Sequence, residues 1–197
     1  MERNIQSAAG GSADGPENHV RGAEDHVAHF RRTVGHFATG IVVLTSADSD
    51  GAAIGMTVQS FTSVSLDPLL VSVAVSRSSR SWLRIRDTNR VCINILAADQ
   101  AELSRRFAKP LTERFDGITW RVNERGLPVL DDVLAWVDCD IDTTHIAGDH
   151  EVALCSVRAL AVTRTTEPLL FYRGAYSSIN AWRSVGSDAI GGLPAPW

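Results

Sequence analysis

Apolar positions along the chain come in short runs separated by turn residues, and only a few recur at helical spacing. Val27, Phe30, Val34 and Phe37 fall three and four apart, which places them on one helical face and predicts a short helix over residues 25–37. Gly40 lets the chain turn into Ile41-Val42-Val43-Leu44-Thr45, a strand by its β-branching. Asp48-Ser49-Asp50-Gly51 reads as a turn and residues 53–59 as the returning strand, so the two form a hairpin. A third strand spans 69–76 after the stop at Asp67-Pro68. Ser78 and Ser79 can cap a short helix carrying Trp82, Leu83 and Ile85. Residues 91–96 return to strand, and 100–107 to helix with Leu103 and Phe107 on one side. Residues 108–127 read as loop. Strands are predicted over 135–141 and 152–163, joined through Gly148-Asp149-His150, with a last strand over 169–172.

Many strands with two or three short helices do not make the regular strand–helix alternation of a doubly wound sheet. Neither GxGxxG nor GxxxxGK[ST] occurs, so a Rossmann domain and a P-loop enzyme do not fit. The prediction is a mainly β protein, an antiparallel barrel with short peripheral helices, because closure removes exposed strand edges. Residues 1–24 are rich in Gly, Ala, Ser, Asp and Glu without periodicity and are expected to form a disordered leader. Residues 181–197 cannot build a core alone and are expected to be a tail. That leaves one domain over residues 25–180.

Composition narrows the function. The 197 residues include 19 basic and 23 acidic side chains, a net charge of −4, and 44% are hydrophobic. Such a chain is a poor electrostatic wrapper of nucleic acid. No apolar run of membrane-spanning length and no signal-peptide core occurs, so a soluble cytoplasmic protein, with no membrane partner, is expected. Cys92, Cys139 and Cys155 form neither a disulfide framework nor a CxxC pair. Cys92 and Cys155 sit inside apolar strand patterns, and Cys139 lies among carboxylates that disfavour a thiolate. His26 and His29 lack the pattern of a metal-binding helix, so no metal site is expected.

Three polar stretches stand out, each with two readings. GMTVQSFTSVS at 55–65 sets Thr57, Gln59, Ser60, Thr62 and Ser63 between apolar residues. It reads as a solvated strand edge with a serine-rich turn, or as a neutral hydrogen-bonding surface for a phosphate or a heteroaromatic ring. Ser76-Arg77-Ser78-Ser79-Arg80-Ser81 follows a strand and precedes a helix, which suits either simple capping or an anion site with Arg80 making bidentate contacts. Gly148-Asp149-His150 is a turn followed by an exposed histidine, or a site presenting that ring with Asp149 orienting it.

In combination these segments resemble the small flavin reductases that serve two-component flavin-dependent monooxygenases. The resemblance runs from about residue 29 to residue 179. It is carried by HFATGIVVLTS at 36–46, GMTVQSFTSVSLDPLLVSVAV at 55–75, VCINILAADQAELSRRFA at 91–108, GLPVLDDVLAWVDCDI at 126–141, AGDH at 147–150 and PLLFYRGAY at 168–176. It implies a split-barrel flavin-binding fold, a homodimer, and reduction of FAD or FMN by NADH or NADPH, with FAD and NADH favoured. The reduced flavin then passes to a partner monooxygenase. By the same resemblance Thr57, Val58, Gln59, Ser60 and Phe61 lie along the isoalloxazine and ribityl group. Ser76, Ser79, Arg80 and Ser81 form the phosphate side. Asn94, Phe107 and Ala108 lie near the same cofactor, while Gly148, Asp149 and His150 face the nicotinamide with His150 as the catalytic candidate and Tyr176 nearby. Cys155 stands where the family commonly has glycine, which narrows space there. An FMN-dependent oxidase of the pyridoxamine-phosphate oxidase type and a non-catalytic flavin-binding redox module are the alternatives.

Overall fold

The computed structural model describes residues 23–109 and 114–179, so most of the expected leader and the whole expected tail lie outside the described residues. The chain divides between His36 and Phe37 into two units. The first contains helix α1 (Ala23–Val34), which ends as Gly35 N–H donates to the Arg31 carbonyl at 3.0 Å. It stops three residues before the expected end, and its stripe of Val27, Phe30 and Val34 is exposed.

The second unit is built on seven antiparallel strands. They are β2 (Val42–Ala47), β3 (Ala53–Val58), β4 (Thr62–Leu66), β5 (Leu69–Ser76), β6 (Arg90–Ile95), β9 (Ala135–Ala147) and β10 (His150–Val162), in the order β3-β2-β6-β9-β10-β5-β4. A short strand β1 (Thr39–Gly40) pairs with β11 (Leu170–Tyr172), which pairs with β12 (Ala175–Ser177). Strands β7 (Trp120–Val122) and β8 (Pro128–Leu130) form a separate ribbon. Helices α2 (Arg80–Asp87) and α3 (Ala101–Ala108) complete the unit. Among the described residues no helix is long and apolar enough to cross a membrane.

Topology forces the large sheet to roll. Its two edge strands, β3 and β4, are consecutive in the chain and only residues 59–61 join them. Seven flat strands would hold their edges roughly 29 Å apart. A three-residue connection reaches at most roughly 15 Å. The near ends of β3 and β4 are therefore held close together, and Ser60 marks the seam between them. Its hydroxyl donates to the Ala74 carbonyl on β5 at 2.6 Å and accepts from the Ala74 N–H at 2.9 Å.

Side chains alternate between the two faces of the rolled sheet. Val42 and Leu44 join Val73, Val75, Val91, Ile93, Ala153 and Cys155 inside the barrel, where α2 adds Trp82 and Ile85. Ile41 and Val43 point the other way, into a second cluster with Leu96, Phe107, Leu130 and Leu169. Strand β2 is thus buried on both faces, which explains its unbroken apolar run. Cys92 packs under the β7–β8 ribbon with Leu127 and Val129. Burial pushes the Cys92 and Cys155 thiols up to about 12 and raises that of Cys139 further.

The expected elements are present with different ends. Strand β9 extends six residues past the expected 141, and the β9–β10 ribbon carries that extension out to the 148–149 turn. The stretch expected as loop over 108–127 contains β7, and β12 follows the strand expected to be last. Both are three-residue strands, too short to show a period.

Ser60→Ala removes a donor and an acceptor at the seam and leaves the Ala74 backbone unpaired. The variant is expected to lose about 1–3 kcal/mol of stability, read as a Tm lower by several degrees in thermal unfolding. A melting curve superimposable on that of the wild type would show that the seam closes without this side chain.

Candidate functional site

Where β5 ends, the chain turns through Ser76-Arg77-Ser78 into α2. Ser79 caps that helix, its Oγ accepting from the Trp82 N–H at 3.2 Å. The cap is held because Trp82 and Ile85 are fully buried in the barrel. Beside it lies a cavity of about 610 Å³. Residues 78–81 and Arg84 line one side of it, 53–55 of β3 another, and Ala108, Arg114 and Phe115 the rest. Three arginines and three serines thus face one space, with no carboxylate among its described lining residues. Arg84 is neutralised by Asp48 at 2.5 Å, and this contact holds the Asp48 carboxyl below its ordinary range.

The β9–β10 turn reaches the same end of the barrel through strand pairing. His150 lies opposite Ser76 in the β5–β10 register. The Arg77 N–H donates to the Asp149 carbonyl at 3.0 Å, and the Arg77 guanidinium reaches the Gly148 carbonyl at 3.5 Å. Gly148 has φ +65°, and a Cβ there would meet nothing within 4 Å, so the turn is open as well as tight. His150 Nδ1 lies 2.8 Å from Asp149 Oδ1. A carboxylate only accepts, so Nδ1–H donates and Nε2 is the ring's remaining polar atom.

Glu151, one residue on, faces the opposite way and is buried. It accepts from the Trp82 indole N–H at 2.9 Å and from Arg86 at 3.0 Å. These partners hold its carboxyl below the ordinary glutamate value, the Trp82 bond first and Arg86 next. Glu151 thereby ties the histidine-bearing strand to α2, the helix that carries the arginines.

The other expected site residues fall into separate places. Thr57 Oγ1 donates to the Ser104 carbonyl at 2.7 Å, and Ser104 Oγ lies 2.9 Å from the Tyr176 hydroxyl. The Tyr176 ring packs edge-on against Phe171, with the Arg105 guanidinium 4.9 Å from its centre. Gln59 Oε1 accepts from Thr39 at 3.3 Å. Val58 and Phe61 pack with the barrel interior. The hydroxyl protons of Thr57 and Ser60 are therefore spent on backbone carbonyls, and a ligand meets only their lone pairs.

Two further expected site residues are buried in the fold. Asn94 is fully buried on the outer face of β6. Its amide donates to Thr45 Oγ1 at 2.9 Å and to the Val43 carbonyl at 3.1 Å, and its oxygen accepts from Leu130 N–H at 2.9 Å. It holds strands together away from the cavity. Phe107 is also buried, and a Cβ at Gly55 would lie 2.5 Å from its ring. Phe107 is core and Ala108 alone of that pair lines the cavity. Cys155 likewise fills the barrel interior.

Sequence reading missed Arg84, Arg114, Gly55 and Glu151. Glu151 had a signal, since a carboxylate in the parity of Ala153 and Cys155 sits on the inward face of its strand. Arg114 had none, because its loop carries no period.

Residues 34–180 match the flavin reductase-like domain family. The chain is 41% identical to a flavin reductase of Pseudomonas putida over 152 residues, covering 77% of this chain and 89% of that protein. It is 39% identical over 168 residues to HsaB of Rhodococcus jostii, the reductase subunit of a flavin-dependent monooxygenase, covering 85% and 82%. Among solved structures, nitrilotriacetate monooxygenase component B of Mycobacterium thermoresistibile superposes with a TM-score of 0.79 at 36% identity, covering 88% of this chain and 98% of that one. The NADH:FAD oxidoreductase of Streptomyces globisporus, in complex with NAD and FAD fragments, superposes with a TM-score of 0.73 at 32% identity, covering 78% and 92%.

Because the Glu151 value is lower in the folded chain than the ordinary 4.5, its ionised form stabilises the fold above that pH. The contribution is lost as pH falls through the folded value. Glu151→Gln is expected to be less stable than wild type at pH 7, with the difference shrinking below about pH 4.5. Urea unfolding at stepped pH reads this directly, and a difference constant down to pH 3 would remove the carboxylate's charge from the account.

Proposed function

This chain belongs to the flavin reductase-like family, and we propose that it is an NADH-dependent flavin reductase that reduces FAD and releases it to a separate monooxygenase. One observation carries the reading. A cavity of about 610 Å³, rich in arginine and serine and lacking a described carboxylate, opens two residues along the chain from Ser76, whose strand partner is His150. An anion-holding wall and an exposed histidine turn therefore belong to one end of one barrel.

A bound flavin would supply the redox chemistry, as acceptor of a hydride from the reduced nicotinamide. The chain's own residues bind and orient. Arg80 and Ser81 suit a flavin phosphate as guanidinium and hydroxyl donors, and Ser79, whose hydroxyl turns to Met56 Sδ at 3.6 Å, holds the helix start beside them. Ser76 supports their turn through Ser78 at 3.0 Å. Strand β3 is a sheet edge, so alternate backbone groups along Thr57, Val58 and Gln59 have no strand partner and can meet the polar rim of an isoalloxazine. Ser60 and Phe61 fix that edge, and Tyr176 borders it through Ser104. Gly148 leaves room for a planar ring. His150, held by Asp149, offers Nε2 as an acceptor for the amide N–H of a nicotinamide. The residues thus position two rings rather than transfer protons.

The preference for FAD and NADH is supported by the NADH:FAD oxidoreductase named above. A cytoplasmic location suits a protein that draws on reduced nicotinamide. A homodimer is supported by the apolar side chains Val64, Leu66, Leu69, Leu160 and Val162, all exposed on β4, β5 and β10. Sedimentation equilibrium is expected to give twice the 21.3 kDa of the chain, and a monomer at assay concentration would exclude the dimer.

The function is tested by following NADH oxidation with and without added flavin. Consumption should require free flavin and be faster with FAD than with FMN, and with NADH than with NADPH. Oxidation of a phosphorylated pyridine amine without NADH would point instead to an oxidase, and flavin binding without turnover to a redox module. His150→Ala is expected to raise KM for NADH several-fold while flavin Kd stays within twofold. Stopped-flow reduction separates the two, and unchanged kinetics at limiting and saturating NADH would take His150 out of the site.

A further inference from the structure

Glu151 breaks the pattern of its own strand. Ala153 and Cys155, of the same parity on β10, fill the barrel interior. An apolar side chain at 151 would continue that core, and a buried ion pair commonly stabilises a fold no better than apolar packing does. Glu151 and Asp138 are the two buried carboxylates among the described residues. Asp138 serves the turn between β7 and β8, through Asn123 and Arg125. Glu151 serves α2, where both of its oxygens are engaged: Oε2 accepts from the Trp82 indole at 2.9 Å and Oε1 from Arg86 at 3.0 Å. Trp82 and Arg86 are four residues apart and so share one helical face. Direction is what these bonds add to packing. Charge-assisted hydrogen bonds fix a distance and an angle, whereas apolar contact is non-directional.

That direction matters because of what lies at each end of the link. Helix α2 lines the cavity with its first turn. Glu151 is the chain neighbour of His150, and its backbone lies opposite Val75 in the β5–β10 register. Strand pairing therefore fixes β10 to β5, and the carboxylate fixes it to α2. In the function proposed above the flavin lies against α2 and β3, and the nicotinamide meets the 148–150 turn. The gap between the two rings is then set by the gap between α2 and that turn. Hydride transfer is sensitive to it, since a displacement of about 1 Å can cost about 100-fold in rate.

We propose that Glu151 is a positioning residue for hydride transfer, its carboxylate holding α2 and the His150 turn at the spacing the reaction needs. This rests on the flavin reductase reading above and adds to it a residue that acts through Trp82, Arg86 and His150 rather than by contact with a ligand.

The test compares wild type with Glu151→Leu and Glu151→Gln, each at a temperature well below its own melting point. Glu151→Leu supplies apolar packing without the bonds, and Glu151→Gln keeps the length and one acceptor without the charge. In stopped-flow reduction of the preformed enzyme–flavin complex at saturating NADH, Glu151→Leu should lower the limiting rate by about 100-fold and Glu151→Gln by less. Kd for flavin and for NADH should stay within threefold, because the contacts of each ligand move with the element that carries them. Crystal structures of the ligand-free proteins should show the 148–150 turn of Glu151→Leu displaced by about 1 Å relative to α2. A limiting rate within twofold of wild type, or a turn that has not moved, would overturn the proposal. Lost ligand affinity with an unchanged limiting rate would overturn it too, since that is the outcome of a merely structural role. If Glu151→Leu does not fold, Glu151→Gln decides: its limiting rate must fall at least fivefold. Wild type that oxidises no NADH when flavin is added would instead overturn the flavin reductase reading itself.

Discussion

Three residues between β3 and β4 hold the near ends of the two edge strands of a seven-stranded sheet together, and the remaining architecture follows from that short tether. A sheet so constrained must curl, and a curled sheet has an inside. Valines and isoleucines of alternating parity fill it, and α2 contributes Trp82 and Ile85 from one end. The helix that closes the barrel is also the helix whose first turn borders the arginine-lined cavity. Core packing and ligand geometry are therefore one problem here, since moving α2 outward would empty the core and dismantle the cavity wall at once.

Polar groups inside this frame divide by whether their hydrogen bonds end in the protein. Asn94 spends its amide on β2 and the β7–β8 ribbon, and Asp138 spends its carboxylate on Asn123 at 2.6 Å and Arg125 at 2.9 Å. Burial still raises the Asp138 carboxyl, so its partners offset the desolvation only in part. Around the cavity the balance differs. There the Ser81 hydroxyl accepts from Arg114 and keeps its own proton, and the His150 ring keeps one nitrogen beyond its bond to Asp149. Groups satisfied by the protein build the scaffold, and groups left with capacity mark the surface where a ligand completes the count.

The strand pattern was legible because β-branching and turn residues report on the chain locally. The apolar run of 41–45 announced β2, and Ser79 announced α2 through its cap. The long ribbon was underestimated because its outer half is exposed and polar, with Thr143, Thr144 and His145 giving no apolar alternation to count. The serine-rich turn was readable as a cluster, and the cavity gathers Ser79, Arg80 and Ser81. The burial of Asn94 and Phe107 was not legible, since sequence does not say which face of a strand or helix a side chain takes. Arg114 was invisible, because its place depends on a contact with β3 that no local pattern encodes.

The buried thiols have a chemical consequence. Free reduced flavin reacts with dioxygen in water to give hydrogen peroxide, so a protein that releases it works in a self-generated oxidant. Peroxide attacks thiolates and spares thiols shut away from solvent. Cys92, Cys139 and Cys155 are all buried and all far from ionising at neutral pH. The barrel thus keeps its three cysteine thiols where the by-product of leaked electrons does not reach them.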